Sequence, residues 1–207
     1  MFPNTTLQKC VKLEKKYIFN MKSLYESLLD DEDVLVDKVD VKSLIEEWLK
    51  ENDIKNYKIN KDNTINVNGS VYLKRYPESE LPSYIQFRNI KGSFSIYSNK
   101  LNTLKGCPEK VGISFDCAGC DSLQTLEGAP KIVGGHFHCS YCKSLKTLEG
   151  APEKVGGLFE CNSCPSLKSL EGAPKEVGWY FNCRNCGKEF TKEEVLSLCN
   201  CKGEIKL

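Results

Sequence analysis

The sequence predicts a β-rich repeat solenoid with one short strand per 22-residue coil, closed by a helix and β-hairpin at one end and by a short helix at the other. Three observations carry this expectation. The first is a fixed period: "LQTLEGAPKIVGGHFHCSYCKS" starts at Leu123, "LKTLEGAPEKVGGLFECNSCPS" at Leu145 and "LKSLEGAPKEVGWYFNCRNCGK" at Leu167, each 22 residues after the last, with a looser copy from Leu101. The second is a set of apolar columns at that period: Leu101, Leu123, Leu145 and Leu167; Leu104, Leu126, Leu148 and Leu170; Val111, Val133, Val155 and Val177; Phe115, Phe137, Phe159 and Phe181. A unit this short cannot enclose a core alone, so successive units must stack their columns on one another. The third is alternation bounded by corners. In "LFEC", Phe159 and Cys161 face inward and Glu160 outward, as in a half-buried strand. "EGAP" turns the chain, because Gly150 accepts positive φ and Pro152 fixes its own, and the Gly156 and Gly157 pair makes a second corner.

The elements follow in order. Residues 1–37 show no sustained period and carry the acidic run Asp30 to Asp33, so a flexible tail is expected, with Met21 as an alternative initiator. Residues 38–90 begin with "DVKSLIEEWLKEN", a helix capped by Asp40 with Leu44, Ile45, Trp48 and Leu49 on one face. "YKINKDNTINVNGSVYL" then reads as a hairpin about Asp62 and Asn63, with Val71 and Leu73 as a first rung, followed by an irregular coil over "LPSYIQFRNIKGSF". The repeat array occupies residues 91–186. In the cap, residues 187–207, Thr191 and Glu194 form a capping-box signature, Val195 and Leu198 are expected against the last coil, and "EIKL" is a final extended piece.

Composition excludes several classes. The net charge is +1 with 28% charged residues and no long basic run, so neither nucleic acid nor an anionic membrane is an expected partner. No secretory signal and no apolar stretch of spanning length is legible, which predicts a cytoplasmic protein with reduced thiols.

The repeated CxxC pairs raise metal and redox chemistry; redox chemistry of the thioredoxin kind lacks its expected βαβ context, and the first coil argues against a metal within the array. Aligning Phe94 with Phe115 places Ile96 where Cys117 stands and Asn99 where Cys120 stands. Cys117, Cys139, Cys161 and Cys183 are therefore expected to be core fillers. A four-thiolate zinc site remains open at the C-terminal end, from Cys183, Cys186, Cys199 and Cys201. Phe94, Ile96, Asn99 and Leu101 resemble the LxLxxNxL part of the leucine-rich-repeat consensus. That resemblance implies a structural ladder, carried by Asn99, Cys120, Cys142, Cys164 and Cys186, satisfying backbone groups at the bend after each strand. The "LEGAPxxVGGxFxCxxC" motif also resembles uncharacterised repeat proteins of bacteriophages and gut-associated bacteria, a resemblance that implies no established activity.

Function is sought where positions vary between coils and face solvent, since fixed columns build the scaffold. Those positions are Ser114, Asp116, His136, His138, Tyr141, Leu158, Glu160, Asn162, Tyr180, Asn182 and Arg184. They predict a mixed strand face that binds a protein partner. The paired histidines, with Asp116 and Glu160 nearby, are read as part of that surface. No catalytic constellation or phosphate loop is present, so neither an enzyme nor a bound cofactor is expected. The stacked Glu127, Glu149 and Glu171 are read as a solvated edge, because they lack the further oxygen ligands a calcium site needs. A zinc-dependent structural or nucleic-acid module, and a structural virion or assembly component docked through its N-terminal tail, are the alternative expectations.

Overall fold

Short strands whose alternate side chains are apolar bury one face by stacking, and the chain does this on two walls at once. A computed structural model describes residues 40–207; the expected tail and Met21 lie outside the described residues. Helix α1 (Val41–Glu51) buries Ile45, Trp48 and Leu49, the i, i+3, i+4 stripe expected of it, while Leu44 is half-buried. Strands β1 (Tyr57–Ile59) and β2 (Ile65–Val67) form the expected antiparallel hairpin. Asp62 Oδ1 holds its turn by accepting from the Thr64 N–H at 3.2 Å and the Thr64 hydroxyl at 2.7 Å.

From β3 (Val71–Leu73) onward every neighbouring strand pair is parallel, with partners one coil apart. The segment expected as an irregular coil contains β4 (Phe87–Ile90), followed by β5 (Phe94–Ile96). The array then supplies β6 (Lys110–Val111), β7 (Phe115–Asp116), β8 (Ile132–Val133), β9 (Phe137–His138), β10 (Lys154–Val155), β11 (Phe159–Glu160), β12 (Glu176–Val177) and β13 (Phe181–Asn182). The cap adds α2 (Lys192–Leu198), β14 (Asn200–Cys201) and β15 (Ile205–Lys206). One sheet runs β1-β2-β4-β6-β8-β10-β12-β14, the other β3-β5-β7-β9-β11-β13-β15. The solenoid of about 6 turns is as expected, but each coil carries two short strands and not one. The additional strand is only two residues long, as in Lys154–Val155, too short to show alternation. The double-glycine corner joins the two sheets.

The columns meet inside as a continuous core. Phe94, Phe115, Phe137, Phe159 and Phe181 stack ring on ring at centroid separations of 5.5, 5.3, 5.3 and 5.0 Å. Phe87 and Trp48 extend the row edge-on toward α1, at 5.5 and 6.2 Å. Each fully buried side chain of this kind contributes roughly 1.5–3 kcal/mol. On the third wall, Thr103, Thr125, Thr147 and Ser169 accept from the backbone N–H two residues on, and Gly150 follows at φ +87°.

The C-terminal cap has the expected box: Thr191 Oγ1 accepts from the Glu194 N–H at 3.2 Å, and Glu194 Oε2 accepts from the Thr191 N–H at 2.8 Å. Val195 is buried, but Leu198 is 47% exposed and does not lie against the last coil. The inward position four residues after Val195 is Cys199, so Leu198 falls one residue off that face. No described helix is long and apolar enough to cross a membrane.

Candidate binding face

The second positions of β7, β9, β11 and β13 put Asp116, His138, Glu160 and Asn182 in register on the outward side of one sheet. All four are half-buried, and His138, Glu160 and Asn182 bond along the column. Glu160 Oε2 lies 2.8 Å from His138 Nδ1, and its Oε1 accepts from the Tyr180 hydroxyl at 3.1 Å and from the Asn182 amide at 3.4 Å. One carboxylate thus links three coils. Burial and the Glu160 charge push the Tyr180 hydroxyl pKa up. Lys206 Nζ lies 3.7 Å from the Tyr180 ring centroid, on the far side of the same cluster.

Beside this column a groove of about 310 Å³ is lined by Asp116, Ala118, His138, Ser140, Tyr141, Glu160, Asn162 and Asn182. Asn162 organises its floor: its Oδ1 accepts from the Ser140 hydroxyl at 2.7 Å and from the Asn182 amide at 3.4 Å. Tyr141 stands at its rim, 61% exposed, at φ +62°. Of the sequence-predicted face, Asp116, His138, Tyr141, Glu160, Asn162 and Asn182 line this groove, and Tyr180 reaches it through Glu160. His136 and Leu158 lie one position before the phenylalanines and Arg184 is exposed on the next coil; none of the three lines the groove. Ala118 and Ser140 were missed, although they stand in the same variable column as Asn162 and Arg184. Trp179, 58% exposed with its ring 5.1 Å from that of His136, was missed because it replaces a corner glycine and reads as scaffold.

The thiols form two oppositely directed ladders. Cys120, Cys142, Cys164 and Cys186 donate back to the carbonyls of Ile96, Cys117, Cys139 and Cys161 at 3.6, 3.4, 3.4 and 3.2 Å. Cys139, Cys161 and Cys183 donate forward to the carbonyls of Glu160, Asn182 and Lys206 at 3.4, 3.5 and 3.8 Å. Asn99 is a correction to the ladder: it is exposed, and Ser98 is the buried residue there. The first coil has one residue fewer between its strand and Leu101, so the inward position falls earlier.

The four C-terminal cysteines do not converge on a zinc site. Cys183 and Cys186 follow β13 in one sheet, whereas Cys199 and Cys201 lie at β14 in the other. Among the described residues no group of three or more His, Cys, Asp or Glu side chains is arranged to hold a metal ion. Burial pushes the Cys120 thiol up to about 11 and the Cys164 thiol to about 12. At half-buried Cys186 the interaction with the Cys161 side chain acts the other way and lowers the pKa. Iodoacetamide at neutral pH is therefore expected to modify Cys186 at least about tenfold faster than Cys117, Cys139 or Cys161. Peptide mass mapping over time measures this, and equal rates would contradict the buried thiol core.

Comparison of the chain with protein-family models, with curated proteins and with solved structures finds no match.

Proposed function

We propose that the chain is a non-catalytic recognition protein that docks a protein partner on the outward face of the β7, β9, β11 and β13 sheet. The observation that carries this reading is a division of labour within each coil. Inward positions repeat as Phe and Cys, while the outward positions of the same strands change from Asp116 to His138, Glu160 and Asn182 and gather at one groove. A stacked scaffold holds such a surface rigid, so little ordering entropy is lost on binding. Exposed Tyr141 and Trp179 supply anchors of the kind enriched at interface hot spots. The leucine-rich-repeat resemblance of the motif supports the same use of a strand face.

The test is affinity capture from the source cell with wild-type protein and a His138→Ala, Glu160→Ala, Tyr180→Ala variant. The variant is expected to lose at least about 90% of any specifically captured protein, as removal of about 1.4 kcal/mol or more would produce. Unchanged recovery from a folded variant would remove this face from consideration.

A further inference from the structure

The position before the first residue of β3, β5, β7 and β9 builds a second, polar ladder along the outward face. Ser70 Oγ accepts from the Ser93 N–H at 3.0 Å, Ser93 Oγ from the Ser114 N–H at 3.3 Å, and Ser114 Oγ from the His136 N–H at 3.4 Å. His136 continues it: its Nδ1 accepts from the Leu158 N–H at 3.2 Å. Leu158 ends the ladder, since its side chain has no acceptor for the next coil. Each rung therefore joins one coil to the next through a side chain, beside the backbone bonds that already link them.

Serine and histidine differ in one respect that matters here. A hydroxyl always carries lone pairs, whereas an imidazole accepts only while neutral, and an imidazolium has donors at both nitrogens. The Leu158 bond thus requires neutral His136 with its proton on Nε2. Gly157 leaves the ring against bare backbone, since a Cβ there would lie 2.2 Å from His136 Nδ1. The Trp179 indole lies 5.1 Å from the ring and is 58% exposed, a surface that favours a cation. The titratable groups on the flanking strands are Asp116 on β7, His138 on β9 itself with its ring 6.1 Å away, Glu160 on β11, and Tyr180 before β13, with Lys206 of β15 over the tyrosine ring. Glu160 is held by His138, Tyr180 and Asn182, and among the described residues no carboxylate hydrogen bonds to the His136 ring.

We infer that His136 is a pH-sensitive rung of the solenoid. Neutral, it extends the serine ladder and ties the β9 coil to the β11 coil. Protonated, it turns a donor toward the Leu158 N–H, that rung is lost, and the imidazolium is held by Trp179 instead. Histidine is the side chain whose ordinary titration falls between about pH 5 and 8, so the three serine rungs stay closed where this one opens. The device stands independently of the partner reading, although it adjoins the proposed face.

Amide hydrogen exchange at Leu158, in the full chain and relative to its intrinsic rate, tests this between about pH 8 and about pH 5. Wild-type protection is expected to fall roughly fivefold toward acid, the size of one lost net hydrogen bond. His136→Ser, which places here the residue the column already uses at Ser114, is expected to show no such fall. In the wild-type protein alone, the NMR titration of the His136 ring and that of the Leu158 amide are expected to share one midpoint. A pH-independent Leu158 amide, a fall that persists in His136→Ser, one abolished by His138→Gln instead, or two different midpoints would each overturn the inference.

Discussion

Replacing Phe137 with alanine is expected to lower unfolding stability by about 3–5 kcal/mol, the largest effect of any single truncation in the array. Phe137 is fully buried and stacks on both neighbours, Phe115 and Phe159, at 5.3 Å, so its removal opens a void between two rings. Backbone pairing holds neighbouring strands about 4.8 Å apart, which prevents the walls from collapsing inward to fill the gap. Phe137→Leu is expected to lose less, because it keeps most of the volume. Urea unfolding at fixed temperature measures both, and a loss under about 1 kcal/mol for alanine would show that the stack is not a close-packed spine.

Gly156→Ala is expected to cost about 3 kcal/mol or more although it adds a single methyl group, because nothing flexible stands in its way. A Cβ at Gly156 would lie 2.0 Å from the Gly134 carbonyl oxygen, and one coil on the Gly178 position repeats the same approach, its own Cβ 2.0 Å from the Gly156 oxygen. The obstacle is backbone of the preceding coil, so relief requires prising two rungs apart. The Gly156 N–H to Val133 carbonyl bond at 2.9 Å is the one that separation would stretch first. Thermal unfolding of Gly156→Ala against Gly69→Ala makes the comparison, since a Cβ at Gly69 meets nothing within 4 Å. Equal melting temperatures for the two variants would contradict the close packing of this corner.

The solenoid was legible because its signals repeat. Leu145, Val155 and Phe159 recur at the same offsets, and chance does not keep three apolar columns in phase over four coils. The capping box at Thr191 was equally plain, being a local pattern with one physical reading. The second strand was hidden because two residues cannot display a period; only the parallel pairing of Val155 with Val133 and Val177 identifies it. Asn99 was misplaced because alignment by residue type ignored the missing residue that moves Ser98 inward. On the candidate face, the outward column of Asp116, His138, Glu160 and Asn182 followed directly from alternation. The hydrogen bonds that join Ser140, Asn162 and Asn182 did not, since they connect side chains about 20 positions apart. The role of His136 was also out of reach, because its meaning depends on Ser114 before it and the Leu158 N–H after it, a relation between coils and not within one.

The opposed thiol ladders carry a consequence for ancestry. Cys142 clasps the coil before it and Cys139 the coil after it, and Cys164 and Cys161 repeat the same pair of clasps one coil on. Duplicating or deleting a 22-residue unit such as the one beginning at Leu145 leaves both new junctions with matching partners. Gene recombination can therefore lengthen or shorten this molecule one coil at a time without redesigning a joint. Each event would carry a fresh outward pair, free to diverge as His138 and Glu160 have, while the clasps beneath stay the same.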